Sequence, residues 1–458
     1  MSTQFQRALF IFRRDLRLED NTGLIFALKN SKEVIPCFIF TPEQIENNPY
    51  RSNHCLQFML ESLEDLEDEI ASKRGKLYLF YGVPEAVVEE CIQKLHVDAV
   101  IVNRDYTPYS MKRDNKINTS CKKAGIPFLS FNDLLLNPPE TTLKADKNPY
   151  AIFTPFYRNA SQFDIPIPAK NPYHNYYSTP IPFAKDSTIY KKILPTRKEQ
   201  SHGGRKNGLT LLKNIDKFSD YKEIRDIPSI KGTTLLSSHL KFTTCSPREV
   251  YWTILRQLGP SSELIRSLYW RDFFTSIVFY FPQVFFTSFH HKFDKIKWSN
   301  NKEVFAKWCQ GITGFPIVDA GMREMNATGF MHNRVRMIVA SFLVKDLHID
   351  WRWGEKYFAQ TLIDYDPAVN NGNWQWAAST GCDAQPYFRI FNPWLQAAKF
   401  DPDCSYIKQW IPELAAIPAA KIHKWYIEEN HSHCKGYPAP IVDHSIESKI
   451  ALEAYKGC

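Results

Sequence analysis

The sequence predicts two folded parts of different class: an α/β domain on a parallel sheet, and beyond a proline-rich connection an all-α domain. Three observations lead there. Short apolar, β-rich runs alternate with helical patterns as far as Phe131. Ten prolines fall between Asp133 and Arg197, where periodicity disappears over much of the interval. Beyond Lys206 apolar residues recur at spacings of three and four almost to the end, the signature of amphipathic helices.

The β-rich runs are Ala8 to Phe12, Val34 to Phe40, Leu77 to Tyr81, Ala99 to Asn103 and Pro127 to Phe131, with helical patterns at 21–30, 53–72, 84–95 and 109–124. Strands separated by helices of this length build a parallel sheet. After the first strand comes Phe12-Arg-Arg-Asp-Leu-Arg-Leu-Glu-Asp-Asn21 and no GxGxxG, so a dinucleotide fingerprint is absent and any ligand here binds in another manner. Alone, those charges also fit a solvated strand end. We assign 1–132 to the α/β domain and 133–205 to a linker wrapped on the surface. Helical patterns at 247–258, 261–281, 301–310, 316–327, 331–347 and 352–363 place the helical domain at 206–445, followed by a short tail, 446–458.

With 458 residues, 44% hydrophobic and 23% charged, the chain has the composition of an ordinary soluble globular protein. No run approaches the length of a membrane span, so no membrane partner is expected. The opening apolar run of about seven residues is too short for a secretory signal, and a cytoplasmic location is expected. Ten cysteines form no CxxC pair, which suits reduced packing thiols. His431-Ser-His433-Cys434 lacks a second ligand cluster and is read as a loop, so no metal is expected. Residues 1–130 hold 17 Lys+Arg against 18 Asp+Glu, and the remainder holds 40 against 31. The basic surplus and all eleven tryptophans, from Trp252 to Trp425, therefore lie in the later part. A basic, Trp-rich region points to nucleic acid; a mildly basic surface over an aromatic core has the same composition.

Asp364-Tyr-Asp-Pro-Ala-Val-Asn-Asn-Gly-Asn-Trp-Gln-Trp376 crowds carboxylates, amides and two tryptophans around a proline and a glycine. Asp364 and Asp366, two apart, suit a turn before Pro367, while Asn370 and Trp374, four apart, suit one helical face. A polar loop leading into a core helix is the alternative. Gly232-Thr-Thr-Leu-Leu-Ser-Ser238 offers hydroxyls and amides ahead of a helix, which suits a phosphate or an ordinary helix start. Ser267, Trp270, Arg271 and Phe274 share a stripe, as do Asn333, Arg336 and Met337. Each stripe combines an apolar surface with a cation, and each also fits a core stripe capped by one arginine.

These segments, with Tyr150-Ala-Ile-Phe-Thr-Pro-Phe156, Trp270-Arg-Asp-Phe273, Gly314-Phe-Pro-Ile-Val-Asp319 and Met331-His-Asn-Arg334, resemble the photolyase/cryptochrome family, and within it class I photolyases of cyclobutane pyrimidine dimers. The resemblance runs from near residue 8 to about residue 445, in order. It implies a Rossmann-like antenna domain, a linker and a helical domain holding FAD, active as the reduced anion. Tyr221 and Thr233, Thr234, Leu235, Leu236 and Ser237 would hold its phosphates, with Leu264, Arg271, Arg336, Asp364, Tyr365 and Asp366 around it and Asn370 facing N5. Trp374, Trp351 and Trp298 match the family's electron-transfer tryptophans. UV-damaged DNA is the implied partner: Trp270 and Trp376 would flank a flipped lesion, Ser267, Asn333 and Met337 would line its pocket, and Arg225, Arg271, Arg334 and Gln396 would contact DNA. A monomer is expected.

Departures from the family pattern bear on the carry-over. Ser267 and Leu264 stand where the family has glutamate and tryptophan, and Phe330 replaces another tryptophan. A serine hydroxyl cannot deliver a glutamate's proton or charge. Arg104-Asp-Tyr-Thr-Pro-Tyr-Ser110 lacks the Asn and Glu of folate-binding members, so a second antenna chromophore, where present, is expected to be a deazaflavin or flavin rather than folate. The rival reading is a cryptochrome-type blue-light sensor, which Ser267 favours and Asn370 opposes. A light-independent nucleic-acid binder is a third.

Overall fold

The computed structural model describes residues 3–196, 202–431, 434 and 436–458. Five parallel strands, β1 (Phe5–Phe12), β2 (Ser31–Phe40), β3 (Tyr78–Tyr81), β4 (Ala99–Asn103) and β5 (Phe128–Phe131), form one sheet in the order β3-β2-β1-β4-β5. Ala8 in β1 lies opposite Val34 on one side and Ala99 on the other. The central strands are buried almost throughout, as expected of a parallel sheet covered on both faces. The connecting helices Thr22–Asn30, Asn53–Ser72 and Pro108–Lys123 begin at Asn21, Ser52 and Thr107, whose side chains accept the N–H of Leu24, Cys55 and Ser110. Those caps satisfy amides that the first helical turn leaves orphaned.

β1 and β2 start earlier than their apolar runs, at Phe5 and Ser31 rather than Ala8 and Val34. Arg7 faces Glu33 across the ladder, Nε to Oε1 2.7 Å, and an ion pair extends a strand without extending its apolar pattern. The linker also has more structure than a surface wrap. It carries helices Phe153–Ala160 and Thr188–Ile193. It also bridges the sheet at Val34 with Tyr176 and at Leu79 with Lys185, the latter covering the otherwise open edge of β3.

The charged run after β1 is not a solvated strand end: Asp15, Arg17, Asp20 and Asn21 are all buried. Arg17 donates to Asp133 at 2.6 Å, and Arg248 to Asp133 and Asp20, both at 2.9 Å. Burial by itself would raise the Asp133 pKa, but the two guanidiniums beside it hold the carboxyl down to about 2, so it keeps its charge in the interior.

Chain contacts group Met1–Lys217 with Thr234–Pro282, and Phe218–Thr233 with Gln283–Cys458. The first unit holds the sheet and the helices Pro247–Leu258 and Glu263–Tyr280. Helices of the second include Lys302–Gln310, Pro316–Thr328, Asn333–Lys345, Trp351–Thr361, Pro367–Ala377, Pro393–Phe400 and His444–Lys456, packed on a core that includes Trp308, Phe342, Trp351 and Trp374. Among the described residues no helix is long and apolar enough to cross a membrane.

Arg248→Ala leaves Asp20 and Asp133 with less compensation in the interior. It is expected to destabilise the protein by about 3–5 kcal/mol, read as a lower urea midpoint by circular dichroism.

Candidate functional site

Asp366 caps the helix Pro367–Ala377, accepting the N–H of Ala368 at 3.0 Å and of Val369 at 3.2 Å. With Pro367 at the first helical position, the chain must turn here. Asp364, on the other side of Tyr365, receives the Arg336 guanidinium through Nη2–Oδ2 at 3.0 Å and Nη1–Oδ1 at 3.2 Å. Arg336 also gives Nε–H to the Met331 carbonyl at 2.7 Å, so its planar fork is fixed from both ends. Tyr365 lies half-buried between the two carboxylates in sequence.

Asn370, one turn into the helix, is buried and donates through Nδ2 to the Glu355 carbonyl at 3.0 Å and to Glu355 Oε1 at 2.8 Å. A backbone carbonyl only accepts, so the amide nitrogen must face Glu355 and Oδ1 is the polar atom Asn370 retains. Glu355 is itself buried. Burial pushes its carboxyl up to about 7, with the Asn370 hydrogen bond pulling the other way. The sequence reading missed Glu355. Its signal is the stripe Trp351, Glu355, Phe358 at i, i+4 and i+7, all buried, in which a carboxylate occupies an apolar position.

Trp374 and Trp351 are buried, and Trp298 is partly buried against the same core. Trp374 meets Phe358 edge-on at 4.9 Å between ring centroids and Trp308 at 6.2 Å. Gly354 makes room for it: a Cβ there would run into Cη2 of Trp374 and lie 2.5 Å from Leu343 Cδ2.

Other candidates of the second unit lie nearer solvent. Asn333 is exposed, and Met337, Trp376 and Gln396 are partly so. Arg334 is paired with Asp226, Nη2–Oδ2 2.7 Å, with its guanidinium 4.4 Å from the Phe400 ring centroid. Arg225 lies 5.9 Å from the ring centroid of Tyr221, and Thr233 is partly buried. The helix over 331–347 begins only at Asn333, because His332 caps it by accepting the Arg334 N–H at 3.2 Å. In the sequence His431-Ser-His433-Cys434, His433 lies outside the described residues.

In the first unit Trp270 lies face to face with Phe153, ring centroids 3.7 Å apart and planes within 6°. The Arg266 guanidinium covers Phe153, which belongs to the Tyr150–Phe156 segment, at 5.2 Å. Ser267 is exposed and returns its hydroxyl to the Glu263 carbonyl at 3.1 Å. Arg271 donates to the carbonyls of Leu134 and Leu240, and Leu264 is buried. Thr234 and Leu235 lead to Leu236 and Ser237, where a helix of only five residues begins. Leu235 adopts a left-handed conformation, φ 54°.

The chain is similar to known proteins along most of its length. Residues 8–173 match the family model "DNA photolyase" and residues 264–457 the model "FAD binding domain of DNA photolyase". The chain is 37% identical to the deoxyribodipyrimidine photo-lyase of Alkalihalophilus pseudofirmus over 97% of each chain. The chain belongs to the photolyase/cryptochrome family. Among solved structures, an archaeal photolyase from Sulfolobus tokodaii with two FAD molecules is 43% identical with a TM-score of 0.90, covering 99% of this chain and all of that one. The Synechocystis cryptochrome is 28% identical with a TM-score of 0.89, over 99% and 100% respectively. As in this family, the helical region is an FAD-binding domain.

The residues around the Pro367–Ala377 helix start fit that cofactor. The nitrogen N5 of a reduced flavin carries a hydrogen and needs an acceptor, and Asn370 has Oδ1 to offer once both amide hydrogens serve Glu355. Arg336 and Asp364 supply a neutral ion pair beside the same helix start rather than an isolated charge.

Two consequences can be measured. Gly354→Ala forces the added methyl into Trp374 and is expected to cost about 1–3 kcal/mol, seen as a lower melting temperature with altered tryptophan emission. Glu355 has a folded pKa of about 7, above its unfolded value, so the folded state binds its proton more tightly. Stability is then greatest below the unfolded pKa and falls as pH rises to about 7, by on the order of 3 kcal/mol. Glu355→Gln is expected to flatten that slope in urea unfolding measured between pH 5 and 8.

Proposed function

We propose that this protein is a deoxyribodipyrimidine photo-lyase that repairs cyclobutane pyrimidine dimers in UV-damaged DNA. The observation that carries the reading is the Asn370–Glu355 pair, which presents an amide oxygen where the family's flavin ring is expected. FAD, when bound, supplies the light absorption and the reversible electron donation that no side chain can provide.

The chain's own residues would bind, orient and exclude water. Arg336 and Asp364 hold the helix start rigid, and Asp366 fixes the first turn that places Asn370. Tyr221, Thr233 to Ser237, Leu264, Arg271 and Tyr365 are assigned to the cofactor by family position. Trp374, Trp351 and Trp298 are assigned to its re-reduction. A damaged pair stacked inside the duplex is out of reach of a buried flavin, so it must be flipped out of the helix, as photolyases do with their substrates. Asn333, Met337 and Trp376 are assigned to the lesion in the second unit, and Ser267 and Trp270 in the first. Arg225, Arg334 and Gln396 are assigned to the DNA backbone, where each cation releases a counterion. For Arg334 this means exchanging the Asp226 carboxylate for a phosphate.

A second, flavin-type antenna is supported by two arginines, one at the carboxyl end of β1 and one in the helix Pro108–Lys123. Arg13, just after β1, and Arg113 are both joined to Asp114, at 2.8 and 3.1 Å, and each keeps a buried Nη2 with no partner among the described residues. β1 and β4 are neighbours at the point where the strand order reverses, the place where open α/β sheets take ligands, and crowded guanidiniums suit a phosphate. The archaeal relative's two FAD molecules agree with that class of pigment. A monomer in the cytoplasm is part of the same reading, in keeping with ten free cysteines.

The test is repair itself. Purified protein loaded with FAD and reduced is expected to lose dimers from UV-irradiated DNA under blue light and not in the dark, with binding that weakens as salt rises. Retained flavin binding and photoreduction with no dimer loss would instead favour the cryptochrome-like sensor, and no flavin binding would favour a light-independent nucleic-acid binder.

A further inference from the structure

We propose that Arg266 is a further DNA contact in the first unit, taking a backbone phosphate beside the damaged pair that Trp270 flanks. The inference rests on the photo-lyase reading and on the placing of Trp270 at the lesion. Arg266 lies one turn before Trp270 and immediately before Ser267 on the helix Glu263–Tyr280. Its guanidinium carbon stands 5.2 Å from the ring centroid of Phe153 and 5.4 Å from that of Tyr157. Those two rings are stacked within 15° of each other, and Phe153 in turn backs Trp270. One set of rings therefore holds both the indole and the cation.

The other arginines of this helical segment are committed. Arg248 pairs with Asp20 and Asp133, Arg256 donates to the Trp252 carbonyl, and Arg271, for which the sequence suggested a DNA contact, donates to the carbonyls of Leu134 and Leu240. Arg266 is partly exposed and has no ion pair and no hydrogen bond among the described residues, although Glu263 is only one turn earlier. Attraction to a ring steadies the charge but gives the N–H groups no oxygen. The planar fork stays open, and it matches two oxygens of a phosphate. Because the rings already hold the side chain, less rotamer freedom is lost when a ligand arrives.

Position selects the phosphate. Four residues of helix advance about 6 Å, so the cation meets the backbone of a nucleotide whose base lies on the indole. Ser267 contributes by what it is not. A glutamate there would set a negative charge beside Arg266 and beside any phosphate it holds, and the serine removes that repulsion. An aromatic platform with an adjacent cation is how extruded, single-stranded nucleic acid is held.

Binding read against salt separates a phosphate contact from a packing role. The FAD-loaded, full-length protein is titrated in the dark with a duplex carrying one cyclobutane thymine dimer, at several salt concentrations. Arg266→Met keeps an unbranched stem over the rings and removes the charge. It is expected to weaken binding about tenfold at low salt and to lower the slope of log affinity against log salt by about 0.9. Arg266→Lys keeps one positive charge and is expected to recover the slope. Repair by the saturated, reduced complex is expected to stay within about twofold of the parent in both variants, because a phosphate contact lies outside the electron transfer. A slope unchanged in Arg266→Met, or lowered equally in Arg266→Lys, overturns the phosphate contact, and so does a saturated repair rate that falls while affinity holds. A parent that shows no preference for the dimer-containing duplex and no repair under blue light would instead overturn the lyase reading beneath, and this contact with it.

Discussion

The close approach of the Trp374 indole to the backbone at Gly354 sets most of what the site can do. A side chain at 354 would occupy the space of that ring, so only glycine lets the helices Trp351–Thr361 and Pro367–Ala377 come together at this depth. Asn370 is one turn before Trp374 and Glu355 is the residue after Gly354. The contact that seats the ring therefore brings the amide to the carboxyl. One packing decision fixes the Trp374 indole and the orientation of the Asn370 amide, and it does so between helices, where positions are held more firmly than on loops.

That dependence explains what the sequence could and could not reveal. Asp366 as a cap before Pro367, and Asn370 and Trp374 on one face, follow from spacing and local turn chemistry. That Arg336 and Asp364 belong to one site follows from the family resemblance. Glu355 and Gly354 stayed silent because a helix reads its own periodicity and says nothing of what a neighbouring helix will press against it. The strands were legible wherever burial on both faces made continuous apolar runs, and illegible at Arg7 and Glu33, where an ion pair carried the ladder.

The buried charges after β1 show the same limit at longer range. Asp20 meets Arg248 at a separation of 228 residues, and no local pattern distinguishes a carboxylate awaiting such a partner from one facing water. Removing this cluster from solvent is costly, and the full satisfaction of Asp133 by two guanidiniums is what makes it tolerable. The network ties the loop after β1 to the helix Pro247–Leu258 within the first unit, giving that helix a fixed position although it follows the sheet in sequence by more than a hundred residues.

In the proposed function, Ser267 is the departure from the family pattern with the largest consequence. Its hydroxyl is returned to its own helix at Glu263, so it offers neither the charge nor the proton of the family's glutamate. In the proposed function, recognition on this face rests on the flat ring of Trp270, which Phe153 backs at stacking distance, and on nearby cations such as Arg266. Stacking on an aromatic ring is tolerant of base identity and insensitive to proton position, whereas a carboxyl group reads specific hydrogen-bond donors. A site that has traded the second for the first discriminates by shape and by the ease with which a base leaves the helix. That property belongs to the damaged pair itself, because a weakly stacked lesion costs less to extrude than an intact one.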